Sequence, residues 1–355
     1  MSLRPDETVQ KALLSTTSRF VGEYETDKVL LTHAWPSFND LLAPIRWAEG
    51  PASRSAYILA FRTKSVDKSP GNPLPDYSPT GEEIASYLSV LFGKRFDFHG
   101  LIEGIGYYHI PNLSQFDSLA VHDLPHNSHK VRPDFNIPLN LSETGRLAPL
   151  LVGNTLPSKF IHTFHGCAKF YLQALQNFEL DPEVAYLHLI SAGEILSNYH
   201  DFEKPVLLDD EMKGYLKKIR IELVDGEKIA GRIEARLLFI KRRFIETINN
   251  FIDPSFFNQS EADWELGQFK PETFRQSVAA AYDLRSKYVH TGTPFGRWIS
   301  LRLRGNNEVQ IAKPVLDDKD FAKVIHRAPH LHWSGTLDPI LPHQIRRATW
   351  RISGT

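Results

Sequence analysis

Cysteine is nearly missing from this chain: Cys167 stands alone among 355 residues. A single thiol excludes an intrachain disulfide framework and zinc-ribbon spacing. Long hydrophobic runs are missing too. No stretch approaches the roughly 20 apolar residues of a membrane span, so no membrane partner is expected. Met1-Ser2-Leu3-Arg4-Pro5-Asp6-Glu7 holds no apolar signal segment, and a cytoplasmic location is expected. Charge of one sign is not in excess, with 41 Lys plus Arg against 42 Asp plus Glu. There is no global basic field, and any nucleic-acid site must be local. Neither a glycine-rich phosphate loop nor Gly-x-Ser-x-Gly occurs, which leaves nucleotide hydrolysis and serine-hydrolase chemistry without support. Internal repeats and low-complexity tracts are lacking as well.

What is present is an ordinary globular composition, 42% hydrophobic and 11% aromatic, in a chain long enough for two domains with separate cores. Residues 1–150 read as a β-rich α+β domain, with no motif that specifies a ligand. Short runs such as Val29–Thr32, Ser55–Phe61 and Gly104–Ile110 are bounded by Pro, Gly, Asn and Ser. One helix stands out in this half, Gly81–Gly93, with Thr80 as its expected cap and Gly93 as its stop. Lys64 to Pro79 is polar, carries four prolines and reads as an exposed loop. His122 to Leu150 lacks periodicity and reads as a solvated linker. Its His122, His126 and His129 have helical metal-ligand spacing, but Pro125 breaks the helix, and no Cys or Glu completes a set.

From Pro157 the hydrophobic period changes to 3.6, and residues 151–355 read as an all-α helical domain. The first helix spans roughly Lys159 to Phe178, with Phe160, Phe164, Ala168, Tyr171, Leu172 and Leu175 inward. A second begins at Asp181-Pro182-Glu183 and runs to about Tyr199, with Val184, Leu187, Ile190 and Ile195 as its apolar face. Leu207 to Val224 mixes acid and base like a solvated helix face. Gly226 to Phe251 reads as one long helix bearing Lys241-Arg242-Arg243, with Arg232 and Arg236 a turn or two earlier. This is the best local basic surface in the chain, suited to tracking a phosphate backbone; the plain alternative is a charged face balanced by Glu227, Glu234 and Glu246. After a helix from Pro271 to His290, Trp298–Leu303 alternates like a strand and Asp317–Ile325 reads as a short helix. His326, His330 and His332 fall in a loop without metal partners. Pro342–Ile352, with Arg346, Arg347 and Arg351, reads as a closing helix.

The chemistry concentrates at the end of the Pro271–His290 helix, in Tyr282-Asp283-Leu284-Arg285-Ser286-Lys287-Tyr288-Val289-His290-Thr291-Gly292. Val278, Ala281, Leu284 and Tyr288 recur at helical steps, and Gly292 with Pro294 stops the helix. An Arg and a His this close suit cleavage of a phosphodiester that brings its own nucleophile, as RNA does with the 2′-hydroxyl beside the scissile phosphate. Cleavage needs a group that moves a proton near neutral pH, which suits His290. It also needs a fixed cation over the phosphoryl oxygens, which suits the planar fork of Arg285. No metal or cofactor is called for. Residues five apart on a helix sit about 140° apart around its axis. Either the helix loosens near Gly292, or a second copy completes the site.

Arg285-x-x-x-x-His290, within that fuller string, resembles the signature of HEPN domains, and most of all the ApeA-like branch of that superfamily. The likeness covers about residues 155–350, with its specific residues confined to Tyr282–Gly292. It implies a HEPN-like helical bundle and a metal-independent endoribonuclease, a toxin or antiviral defence effector that cleaves RNA, tRNA among the candidates, with residues 1–150 as its sensing or regulatory domain. It implies a homodimer that pairs the Arg-His helices, with Arg285 and His290 catalytic and Tyr282 and Ser286 in support. Glu194 falls where ApeA-like sequences often carry a Glu, and so would orient Arg285 or His290; its plain alternative is an exposed helix carboxylate. Two other functions stay open. One is a non-catalytic HEPN module that binds nucleotide or RNA or only dimerises. The other is a carbohydrate- or small-ligand-binding protein that works through its β-rich half.

Overall fold

The chain is α+β: an amino-terminal six-stranded antiparallel sheet is followed by a helical region. The computed structural model describes residues 4–34, 54–114, 124–132, 137–151, 156–237, 239–258 and 269–294. The expected strand Trp298–Leu303, the helices Asp317–Ile325 and Pro342–Ile352, the loop histidines 326, 330 and 332, and His122 lie outside these residues. Two compact units are formed, the first running to His188 and the second starting at Leu189.

In the first unit the strands are β1 (Glu7–Thr16), β2 (Tyr24–Glu25), β3 (Val29–His33), β4 (Ser55–Lys64), β5 (Phe96–Gly104) and β6 (Tyr107–Tyr108). Their order is β2-β3-β4-β1-β5-β6. β1 lies second to none in pairing, in register with β4 from Glu7 opposite Lys64 to Thr16 opposite Ser55. Its polarity hides it in the sequence. Gln10, Ser15 and Thr16 are buried, and Gln10 Nε2 donates to Thr63 Oγ1 at 2.7 Å while Ser15 Oγ bonds His99 Nε2 at 2.7 Å. A buried polar group with its partner in place costs little. The run Gly104–Ile110 is not one strand but the turn of a hairpin. Ile105 (φ 55°) and Gly106 (φ 76°) both take the left-handed conformation. That geometry is uncommon for a β-branched residue, at about 1–2 kcal/mol. Ile105 is held there by burial and by donating its N–H to Gln10 Oε1 at 2.7 Å.

Helix α1 (Ser78–Phe92) begins three residues before the expected start, and Thr80 is not its cap. Tyr77 holds the cap position without a side-chain bond, and Pro79 lies in the first turn where a missing N–H costs nothing. Gly93, at φ 62°, ends it. α1 packs on β5, and the short α2 (Ala148–Leu151) is followed by α3 (Ser158–Asn177), which packs on α1. The six inward residues expected of α3 are all buried.

The segment 124–132 is not a solvated linker. His126 and Asn127 are 2% and 0% exposed. The buried Lys94 ammonium donates to the Ser128 carbonyl at 2.9 Å and to that of Pro125, Thr17 Oγ1 donates to Asn127 Oδ1 at 3.0 Å, and Asn127 donates to Glu179. Pro125 and the polar composition suggest exposure; the donors of Lys94 and Thr17 make burial affordable. Nearby, the buried Asp97 carboxylate accepts from Arg54 at 2.8 Å, Arg95 at 3.0 Å and Gln176 at 2.9 Å, which pins α3 to the sheet.

Helix α4 (Pro182–Tyr199) leads into the second unit, followed by α5 (Lys204–Leu207), α6 (Asp210–Glu222), α7 (Gly226–Arg236), α8 (Ile240–Phe251) and α9 (Pro271–Thr291). The apolar face of α4 is rotated from the expected one. Ala185, Tyr186, Leu189, Ile190, Ala192 and Leu196 are buried, whereas Val184, Leu187 and Ile195 are half-buried. Small residues carry little hydrophobic signal yet let neighbours approach closely. Asp209 caps α6 by accepting from the Met212 N–H at 2.8 Å. α6 and α7 form a hairpin whose turn needs Gly226, where a Cβ would meet the Ile219 carbonyl oxygen at 2.2 Å.

The single helix expected over Gly226–Phe251 is two helices, the first ending at Arg236 and the second starting at Ile240, with Phe239 before it at φ 50°. Leu237-Leu238-Phe239-Ile240 are four consecutive apolar residues, which one helix would spread around most of its circumference. The break lets Leu237 and Phe239 pack on the cluster of Leu208, Leu216 and Ala230. α8 then turns Phe244, Ile245, Ile248 and Phe251 inward and packs on α9.

Candidate active site

The site is built on α9, which starts at Pro271 and ends in Gly292 at φ 63°, whose N–H donates to the Tyr288 carbonyl at 3.0 Å. Val278 and Ala281 bury one stripe of this helix. Tyr282 and Arg285, three residues apart and so on one face, both reach Glu194 near the end of α4. The Tyr282 hydroxyl donates to Glu194 Oε1 at 2.9 Å, and Arg285 Nη2 donates to Glu194 Oε2 at 2.8 Å. Both carboxylate oxygens are thereby engaged, one by a neutral donor and one by a cation. Glu194 is 17% exposed and Arg285 19%, so the pair is largely withdrawn from water. Burial, reinforced by the bond to the Glu194 carboxylate, pushes the Tyr282 phenol up to about 12, so it stays a donor across the neutral range.

Arg285 is thus held by its Nη2 end, and its buried Nε has no hydrogen-bond partner among the described residues. A guanidinium fixed by a carboxylate is oriented without being spent, since it carries five N–H donors in one plane. What this assembly can do is present a fixed positive fork beside a phenol. The same Glu194 carboxylate offsets part of the charge.

His290 lies elsewhere on the helix. It is exposed in the last turn and makes no hydrogen bond or ion pair among the described residues. Glu194 therefore engages Arg285 and not His290. Ser286 is half-buried and has no hydrogen bond among the described residues. α9 remains a regular helix to Thr291, so it does not loosen before Gly292 to swing His290 toward Arg285.

The basic cluster on α8 is tied into its own unit. Lys241 Nζ lies 2.7 Å from Asp283, Arg242 lies 3.8 Å from Asp209, and Arg243 Nη2 donates to the His200 carbonyl at 3.0 Å. Arg232 is exposed. Asp283, the partner of Lys241, carries no sequence signal beyond its place between Tyr282 and Leu284. Among the described residues no three His, Cys, Asp or Glu side chains converge to hold a metal ion. Nor is any described helix long and apolar enough to cross a membrane.

Comparison with protein families finds no match for this chain, and comparisons with curated proteins and with solved structures find none either.

Proposed function

We propose that the protein is a metal-independent endoribonuclease of HEPN type, with Arg285 and His290 as its catalytic residues. The observation that carries this reading is the Tyr282–Glu194–Arg285 cluster: a cation fixed in orientation at a helix end that also exposes an imidazole. In the proposed reaction the RNA 2′-oxygen bonds to the adjacent phosphorus as the bond to the 5′-oxygen breaks. His290 takes the 2′-hydroxyl proton or returns one to the leaving 5′-oxygen. Arg285 stabilises the charge that builds on the phosphoryl oxygens. The products are a 2′,3′-cyclic phosphate, or its 3′-phosphate hydrolysis product, and a 5′-hydroxyl.

The two groups sit about 140° apart on a regular helix. The reading therefore includes a homodimer in which Arg285 of one copy works with His290 of the other. Purified protein is expected to cleave RNA in EDTA. His290→Ala and Arg285→Ala are each expected to reduce the rate at least about a hundredfold. Mixing the two variants restores part of the activity, because a mixed dimer holds one intact site. Cleavage that EDTA abolishes and Mg²⁺ restores would overturn the metal-independent mechanism. Cleavage unchanged in both variants would show that Arg285 and His290 are not its catalytic residues, and no cleavage by the purified protein would turn the assignment to a non-catalytic module.

A further inference from the structure

The Glu194 cluster does not stand by itself. Phe244 of α8 is fully buried, and its ring centroid lies 5.4 Å from that of Tyr282 at an interplanar angle of 51°. The same ring presses on α4 at the residue preceding Glu194. A Cβ added at Gly193 would fall 2.5 Å from Phe244 Cε2 and 3.2 Å from Cδ2. A glycine inside a helix costs about 1 kcal/mol relative to alanine, so its presence there marks a close approach. One aromatic ring therefore touches both sides of the hydrogen-bonded cluster, the α4 backbone beside Glu194 and the Tyr282 ring on α9. Two polar contacts hold α8 in place around it. Lys241 pairs with Asp283, the neighbour of Tyr282, at 2.7 Å, and Arg243 Nη2 donates to the carbonyl of His200, just past α4, at 3.0 Å.

We propose that Phe244 and Gly193 are positioning residues that set the orientation of Arg285 through Tyr282 and Glu194, a role that rests on the ribonuclease reading above. With the ring seated on the glycine, Tyr282 reaches Glu194 Oε1 and leaves Oε2 for Arg285. With the ring displaced, the Tyr282 hydroxyl leaves the carboxylate and Glu194 is free to rotate. The guanidinium then loses the direction in which it meets a phosphate. Lys241 and Arg243 belong to the same device, as pins that hold α8 against α4 and α9. Neither needs to touch RNA for its loss to be felt.

The test uses the full-length protein with 3-fluorotyrosine placed at position 282. The substitutions are Gly193→Ala, Phe244→Leu and the two combined, with Gly226→Ala as a control for lost stability away from the site. Two quantities are read: the ¹⁹F titration of the residue-282 phenol, and RNA cleavage in EDTA resolved into kcat and KM. In the parent protein the phenol titrates well above free 3-fluorotyrosine. Gly193→Ala moves it down toward the free value and lowers kcat about tenfold to a hundredfold with KM little changed, the scale expected when a catalytic group is misplaced by about 1 Å. Adding Phe244→Leu makes room for the new methyl and restores both readouts in part. Gly226→Ala leaves both unchanged despite its lower melting temperature. Should Gly193→Ala fail to fold, Phe244→Leu alone carries the test, because it removes the ring's support of Tyr282 without adding bulk. The proposal is overturned if the residue-282 titration keeps its position in folded Gly193→Ala and Phe244→Leu, or if it moves and kcat does not. A parent protein that cleaves no RNA sinks the ribonuclease reading instead, and the fluorine titration still decides whether Phe244 and Gly193 position the cluster.

Discussion

The Glu194–Arg285 pair allows a quantitative forecast. The two groups are 2.8 Å apart and each is less than one-fifth exposed, at 17% and 19%. Unit charges about 4 Å apart attract by roughly 1 kcal/mol in bulk water and roughly 4 kcal/mol at an effective dielectric of about 20. Desolvation and the ordering of two long side chains take back much of the larger figure. A hydrogen bond to a charged group nets about 1.5–3 kcal/mol. Glu194→Gln keeps an oxygen for Tyr282 but turns an amide toward Arg285, and should cost about 1.5–3 kcal/mol. Arg285→Gln should cost a similar amount, since Glu194 then keeps Tyr282 alone. The pair's own contribution comes from the double-mutant cycle and should be about 1–2 kcal/mol, above the 0.2–1 kcal/mol typical of exposed pairs. Hydrogen exchange of amides in 271–292 is the suitable assay, because it reads the opening of α9 itself. A coupling below about 0.5 kcal/mol would refute the reasoning and make the contact an ordinary surface ion pair.

Two further outcomes follow from the fold. Gly226→Ala should lower stability by about 1–3 kcal/mol, because the new Cβ would lie 2.2 Å from a backbone oxygen that has no flexible end to move; an unchanged melting temperature would contradict it. Acid should destabilise the first unit through His99, whose imidazole burial holds below its usual 6.5 even with Asp97 nearby. Below about pH 6.5 the unfolded chain takes up this proton and the folded one does not, so stability falls as pH falls through that value. Urea midpoints between about pH 7.5 and 5.5 should show the loss, and His99→Gln should flatten it; an equal slope in both proteins would exclude His99 as the cause.

Helices were largely legible in the sequence because their signals are local. The spacing of Phe160, Phe164, Ala168 and Tyr171 and the Pro182 and Gly292 boundaries all act within a turn or two of the chain. The exposed proline-rich loop before α1 and the strands at Val29 and Ser55 were legible for the same reason. So was the string from Tyr282 to Gly292, which named the residues around which a site could form. The sequence could not say which of them Glu194 would hold. Distances across 91 residues of chain decide that, and they place the carboxylate on Arg285 and leave His290 in solvent. β1 and the 124–132 segment carry no local signal, because their polar residues are buried against partners far along the chain, such as His99 for Ser15 and Lys94 for the Ser128 carbonyl. The break at Phe239 and the shifted face of α4 were likewise settled by packing: Leu237 and Phe239 join the Leu208, Leu216 and Ala230 cluster, and the Phe244 ring fills the space beside Gly193. Local periodicity thus located most of the helices, and long-range packing and satisfaction of buried polar groups decided the rest and which side chains meet.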